Sequence, residues 1–304
     1  MSKQSILSFT LLFLFASVFG KLYGQGCSDA GFCTINSFKP GTIVEKENKN
    51  QLSVGTFLGK ADNSITAYGS YLEYNRQLSS SFGIETKISM LAQNGNNVNE
   101  FGFSDIFLNV NYKTLSKVKF TLGFKIPLSE ANKVLDNNSL PMDYQASLGT
   151  FDVLFGLGYE IGKLQLVTAL QQPLNQNNNK FLATNFSSNS ELSKFQSTNQ
   201  FSRRGDVLLR ISYPMFINSK LKFTPSVLPI YHLGNDSYVN ETGSRVEIDK
   251  SEGFTLNGNL YLDYELNKKN VIQLSVGVPF VVRNSRPDGL TRSFIANFVY
   301  GVKF

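Results

Sequence analysis

The chain has 304 residues, of which 41 % are apolar and only 17 % charged, with 26 Phe, 13 Tyr and no Trp. Soluble domains carry roughly a quarter of charged residues, so this composition points away from an ordinary water-soluble protein. A net charge of +6 with no basic stripe gives no footing for nucleic acid.

Residues 1–24 read as a secretory signal. Lys3 supplies the positive start, Ile6 to Phe19 the apolar stretch, and Gly24 a small residue before Gln25. The stretch is too short and wrongly flanked for a membrane anchor. Its removal takes away Lys3 and Lys21 and leaves a net charge of +4. Beyond it there is no run of about 18 apolar residues, so no transmembrane helix is available. A chain of this kind crosses a membrane only as a closed barrel, which satisfies every backbone polar group internally.

Residues 25–50 stand apart as an N-terminal segment, on the periplasmic side or tucked into the barrel mouth. They hold both cysteines, Cys27 and Cys33, in GCSDAGFC, and the charged run Glu45-Lys46-Glu47-Asn48-Lys49. In an oxidising compartment a disulfide closing this small loop is expected. A metal site would need more ligands than nearby Asp29, and the sole histidine, His232, lies far along the chain. The segment suits a rigid knot, a plug, or a docking element for a periplasmic partner.

From Gln51 onward, alternation of polar and apolar residues predicts twelve strands: 51–60, 65–76, 82–92, 102–113, 118–128, 150–160, 164–173, 204–214, 221–232, 254–265, 270–282 and 292–304. Short turns at 77–81, 115–117, 161–163, 216–220 and 267–269 alternate with longer connections at 93–101, 129–149, 174–203, 233–253 and 283–291, after a short first one at 59–64. The fold class this implies over residues 51–304 is all-β: an antiparallel up-and-down transmembrane β-barrel with short periplasmic turns and longer extracellular loops.

One spacing recurs through these hairpins: Asp105–Tyr112–Pro127, Asp152–Tyr159–Pro173, Asp206–Tyr213–Pro229 and Asn257–Tyr264–Pro279. Residues seven apart on a strand point to opposite faces. The Tyr faces are apolar (Ile106, Leu108, Val110, Tyr112 in the first copy), whereas the Asp faces are mixed. Tyr112, Tyr159, Tyr213, Tyr264 and Tyr300, with terminal Phe304, are therefore expected as a girdle at the lipid interface. Asp105, Asp152 and Asp206 are expected in the lumen, together with the bases Lys87, Lys119, Lys125 and Arg210. An open acidic ring would select cations; ion pairing with those bases is the plainer reading. Gly123, Gly156 and Gly158 on the same face make room, and the repeated prolines end or bulge their strands. The last strand presents Phe294, Ala296, Phe298, Tyr300, Val302 and Phe304 on one face. That pattern suits recognition by a barrel-assembly machinery.

The hairpins GFSDIFLNVNYKTLSKVKFTLGFKIPLS (102–129) and GTFDVLFGLGYEIGKLQLVTALQQPL (149–174) and the end segment RPDGLTRSFIANFVYGVKF resemble FadL-like and phenol-degradation MetA-like outer-membrane transport barrels of Gram-negative bacteria. The resemblance spans about residues 50–304 and implies a channel for small hydrophobic molecules. FadL itself has more strands and a longer N-terminal hatch than this chain offers.

Three functional classes follow. The first is passive passage of a small solute, hydrophobic in character, through an outer-membrane channel. The second is an envelope or cell-surface scaffold that binds a partner through its loops or its cysteine segment. The third is an outer-membrane lipid hydrolase using His232 as base, with Ser226 or Ser237 nearby in sequence. Six residues of extended strand put Ser226 out of reach of His232 along the chain, and no G-x-S-x-G is present. His232 is thus expected as a girdle or loop residue, and no catalytic, cofactor or metal site is expected.

Overall fold

The computed structural model describes residues 35–40, 49–288 and 292–304. Twelve long strands dominate it. They are β1 (Asn50–Ala61), β2 (Thr66–Gln77), β3 (Phe82–Gly95), β4 (Val98–Lys113), β5 (Val118–Pro127) and β6 (Asp152–Ile161). They continue as β7 (Leu164–Pro173), β8 (Asp206–Ser212), β9 (Leu221–His232), β10 (Gly253–Glu265), β11 (Asn270–Val281) and β12 (Arg292–Lys303). Each strand pairs antiparallel with its neighbour in the chain, and β1 pairs with β12 from Gln51↔Lys303 to Lys60↔Phe294. The sheet is a closed up-and-down barrel without a free edge, as the alternation predicts.

The two faces of the wall are chemically inverted relative to a soluble protein. On β4, Leu108, Val110 and Tyr112 are exposed while Asn109 is buried. On β10, Tyr264 and Leu260 face out while Asn257, Asn259 and Asp263 are buried. In water this would leave a belt of Leu, Val and Phe uncovered, at roughly 25 cal/mol per Å². In a bilayer the same belt is the correct surface, and the polar side chains belong to the lumen.

The tandem-repeat spacing acquires a geometric meaning. Asp105 stands directly opposite Pro127, Asp152 opposite Pro173, and Asn257 opposite Pro279. Pro127 and Pro173 end their strands, and the β10–β11 ladder bulges at Leu256/Asn257 beside Pro279. In the remaining copy Asp206 faces His232, and the β8–β9 ladder skips the Leu209–Arg210 stretch opposite Pro229, which has no N–H to offer.

Two elements differ from the expected boundaries. The connection expected at 93–101 is strand instead: β3 and β4 stay paired as far as Gly95↔Val98, and only Asn96 and Asn97 turn, with φ of 52° and 61°. Asn tolerates that left-handed conformation, which a two-residue hairpin requires. Side chains on the tall hairpin find partners in the next connection: Gln93 Nε2 donates to the Gln145 carbonyl (2.8 Å), and Lys133 pairs with Glu100 (2.8 Å). The other difference is β8, which is shorter than 204–214. Arg204 turns its N–H to Asp236 Oδ1 (2.9 Å), away from a strand partner, and Pro214 interrupts the ladder, which resumes only briefly at Met215↔Phe223 and Phe216↔Lys222.

At the loop end, the connections after β5, β7 and β9 fold over the barrel. They contain two small hairpins, Val134–Leu135 with Asn138–Ser139 and Ser237–Val239 with Arg245–Glu247. Their own apolar core joins Leu140, Tyr144, Phe181, Leu192 and Phe195 to Ile65 and Val98 of the barrel rim. At the other end, residues 35–40 lie inside the barrel, with a 3-10 turn at Asn36–Phe38. The signal segment and both Cys27 and Cys33 lie outside the described residues.

Candidate functional site

The lumen holds the chain's functional chemistry, in three levels from the turn end upward. The first is the seat of the N-terminal segment. A helical turn leaves its first N–H groups without intrahelical acceptors, and Glu85 on β3 supplies them. Its carboxylate accepts from the backbone N–H of Asn36 (2.6 Å) and Ser37 (3.0 Å), and the Ser37 hydroxyl lies 2.5 Å from it. The neighbouring Asn111, itself held by Thr121 (2.7 Å), is 2.8 Å from that hydroxyl.

Phe38 is fully buried and fills the space that Gly156 leaves in the wall: a Cβ on Gly156 would come within 2.2 Å of the Phe38 ring. Lys39 Nζ sits 5.5 Å from the centre of the Tyr71 ring, and Lys87 Nζ sits 4.1 Å from the same centre. Burial pulls the Lys39 pKa down, but Tyr71, Glu73, Tyr261 and Glu85 outweigh it and raise the ammonium above its ordinary range.

The second level is an apolar strip along one side of the inner wall. Phe107, Leu154, Ala169, Leu208, Leu228 and Ile230 project from β4 and β6 to β9. Ile35 and Phe38 cover this strip from the turn end, and Met142, Leu148, Phe201 and Ile248 cover it from the loop end. Plug, wall and cap thus share one apolar core, set among polar lumenal residues.

The third level is a buried charge cluster under the cap. His232 is 1 % exposed, with Nδ1 2.7 Å from Asp206 and Nε2 2.8 Å from Asp236. Arg203 pairs with Asp206 and reaches Asp288 at 3.3 Å, and Arg283 reaches Asp288 at 3.0 Å and the Ser251 carbonyl at 2.6 Å. Burial works against the Arg203 charge, but Asp206, Asp288 and Asp236 more than compensate and raise its pKa.

His232 is therefore neither a girdle nor a loop residue. It ends β9 facing inward, because its register puts it across from the lumenal Asp206. The repeat carries the signal for this: His232 occupies the place facing the acid that Pro127 and Pro173 hold in other copies. Both ring nitrogens are taken by carboxylates, so neither is left to activate a serine. Ser226 pairs with Ser212 (3.0 Å), and Ser237 sits in the loop hairpin.

The other residues singled out by the sequence fall as follows. Asp105 and Asp152 share Lys125, at 3.9 and 3.2 Å, and Ser147 donates to Asp105 from the cap (2.7 Å). With Asp206 held by Arg203 and His232, the three acids are ion-paired and do not form an open ring. Lys87 lies over Tyr71, Lys119 lines the turn-end mouth, and Arg210 lies 3.4 Å from Asn259 and hydrogen-bonds the Tyr261 hydroxyl. Tyr112, Tyr159, Tyr213, Tyr264, Tyr300 and Phe304 all stand on the outer surface. Glu85, Ser37 and Phe38, which seat the plug, carry no motif in the sequence; only the contact across the lumen reveals them.

Neither a protein-family model nor a curated protein matches the sequence. Solved structures do match. The translocator domain of the autotransporter NalP from Neisseria meningitidis aligns with a TM-score of 0.52 at 9 % identity, over 86 % of this chain and 90 % of that one. The chain has the fold of an outer-membrane β-barrel. A Pseudomonas aeruginosa FadL homologue (TM-score 0.44, 9 % identity, 92 % of this chain and 99 % of that one) also matches. So does the Ralstonia pickettii toluene transporter TbuX (TM-score 0.41, 10 % identity, 92 % and 99 %). At such identities the likeness is one of fold.

Proposed function

We propose that the protein is a gated outer-membrane transporter, closed by its own N-terminal segment and loops, that passes a small apolar or amphipathic solute. The observation that carries this reading is the shared apolar core. Its wall side is fixed in β4 and β6 to β9, but its other side comes from a short segment and from loops. Withdrawal of those covers would leave an apolar track between the turn-end mouth and the cap. The plug is fastened by polar contacts to Glu85, by the Phe38 ring against Gly156, by Ile35 in the apolar core and by Lys39 near Tyr71, a set confined to five consecutive residues.

Single-channel recording on the purified barrel tests the gate, with Phe38→Ala and Glu85→Ala as loosened variants. Liposome uptake of a small aromatic hydrocarbon and of a polar solute of similar size tests the cargo. Rare openings in the native chain, frequent ones in the variants, and faster uptake of the hydrocarbon are the expected results. A lumen that stays shut to ions and both solutes in every variant would overturn the proposal.

One feature favours a second reading, an envelope scaffold. The cap has an apolar core of its own in Leu140, Tyr144, Phe181, Leu192 and Phe195, and a stable cap is a natural binding surface. A permanently shut lumen is the outcome that belongs to this reading, with a partner docking on the loops or on residues 26–50. In either reading the outer Tyr girdle meets membrane lipid, and the last strand serves the barrel-assembly machinery.

A further inference from the structure

We propose that the turn-end mouth of the barrel is a binding site for a small multivalent anion, a solute carrying two or more phosphate or carboxylate groups. The mouth encloses a chamber of about 400 Å³ between the plug and the ends of the strands. That is the size of a small-molecule pocket. Its lining includes Lys49, Arg76, Lys113, Lys117 and Lys119. Among the described residues none of these five has a carboxylate within ion-pair distance. Of the two acids in the lining, Glu85 is hydrogen-bonded to the plug turn while still attracting Lys119, and Glu160 attracts it more weakly, so the bases stay in excess.

The placement of two of these lysines sharpens the point. Lys113 and Lys119 are direct cross-strand partners on β4 and β5. Like charges facing each other across a ladder oppose pairing, and Lys119 stands next to Gly158 on its other side, with no side chain to shield it. A bound anion would turn this repulsion into attraction. The amides of Asn75, Asn111 and Gln165, also in the lining, are donors suited to phosphate or carboxylate oxygens.

The rim adds a field of the same sign. The turn-end connections 78–81, 114–117, 162–163, 213–220 and 266–269 contain Lys117, Lys163, Lys220, Lys268 and Lys269 and no Asp or Glu. A concave mouth in which one sign of charge predominates concentrates counter-ions, and its confinement favours a compact solute over a polymer.

Isothermal titration of the full mature chain in neutral detergent tests this, with pyrophosphate and citrate as separate probes at low and high salt. Saturable binding that weakens with salt is expected. It should fall by about tenfold or more, a loss of about 1.4 kcal/mol in binding, in Lys113→Gln/Lys119→Gln. It should be retained in Lys163→Ala/Lys220→Ala/Lys269→Ala, whose lysines lie on the rim outside the chamber. Preference for pyrophosphate or for citrate assigns the phosphate or the carboxylate class. The heat-dependent gel mobility of each variant reports that the barrel has formed. Absence of saturable binding by both probes overturns the proposal, as does an equal loss in the rim variant, which would reduce the site to a diffuse positive face.

Discussion

Gly156→Ala is the most direct probe of the plug. Alanine suits a strand better than glycine, so the wall should not suffer. The new methyl, however, would lie 2.2 Å from Cε1, 2.9 Å from Cζ and 3.2 Å from Cδ1 of Phe38. The ring cannot retreat within a filled core, so the plug must shift or leave. Overpacking of this kind costs about 1–3 kcal/mol, which corresponds to a loss of plug occupancy of roughly 5- to 150-fold. Single-channel recording should show open probability rising by a factor in that range. Phe38→Ala should also open the channel, by loss of buried ring area. In the double variant the methyl meets no ring, so the two effects should be clearly less than additive. A Gly156→Ala channel as quiet as the native one, or strictly additive effects, would refute the seating of Phe38 on Gly156 as the closing contact.

Other perturbations give independent checks. Arg203→Ala removes the cation that Asp206 and Asp288 share and leaves them to His232 and Arg283, which should cost less than the ~3–5 kcal/mol of a fully stranded buried charge yet lower the temperature at which the barrel unfolds in a gel-shift assay. Lys125→Met should act in the same direction by stranding Asp105 and Asp152. Asp143 in the cap has its pKa raised from 3.8 to about 7, by burial first and then by the charges of Asp62 and Asp288. The folded cap therefore keeps a proton that the unfolded chain gives up. Its stability is full below pH 3.8, declines as the pH rises, and levels off above about 7. Protection of the 129–149 amides, taken relative to the intrinsic exchange rate at each pH, should be lower at pH 8 than at pH 5 (the pH values taken on either side of about 7), and Asp143→Asn should remove that difference in protection. Mass spectrometry of the exported chain under non-reducing conditions should find Cys27 joined to Cys33; two free thiols would contradict the expected disulfide.

The barrel was legible because its signal is local and repeated. A period of two, twelve times over, states which side chains face lipid, and the Asp–Tyr–Pro spacing marks hairpin register, since Asp105 and Pro127 or Asp152 and Pro173 meet across the ladder. Gly and Asn mark the turns. The 93–101 stretch was misread because an Asn-Asn hairpin and a loop have the same composition; their difference lies in the ladder that the next connection props up.

What the sequence by itself determined is the wall: strand number, order and which side chains point outward, all consequences of alternation along a single strand. What only the tertiary structure decided is the content of the lumen. Glu85 receives the N–H groups of Asn36 and Ser37 from 48 or more residues away, His232 is clamped between two carboxylates, and Lys113 faces Lys119 at an open mouth. Alternation says that a residue points inward. It does not say which of the inward residues of twelve strands, a plug and a cap will touch, because that depends on barrel curvature and on distances across the lumen that no local pattern encodes.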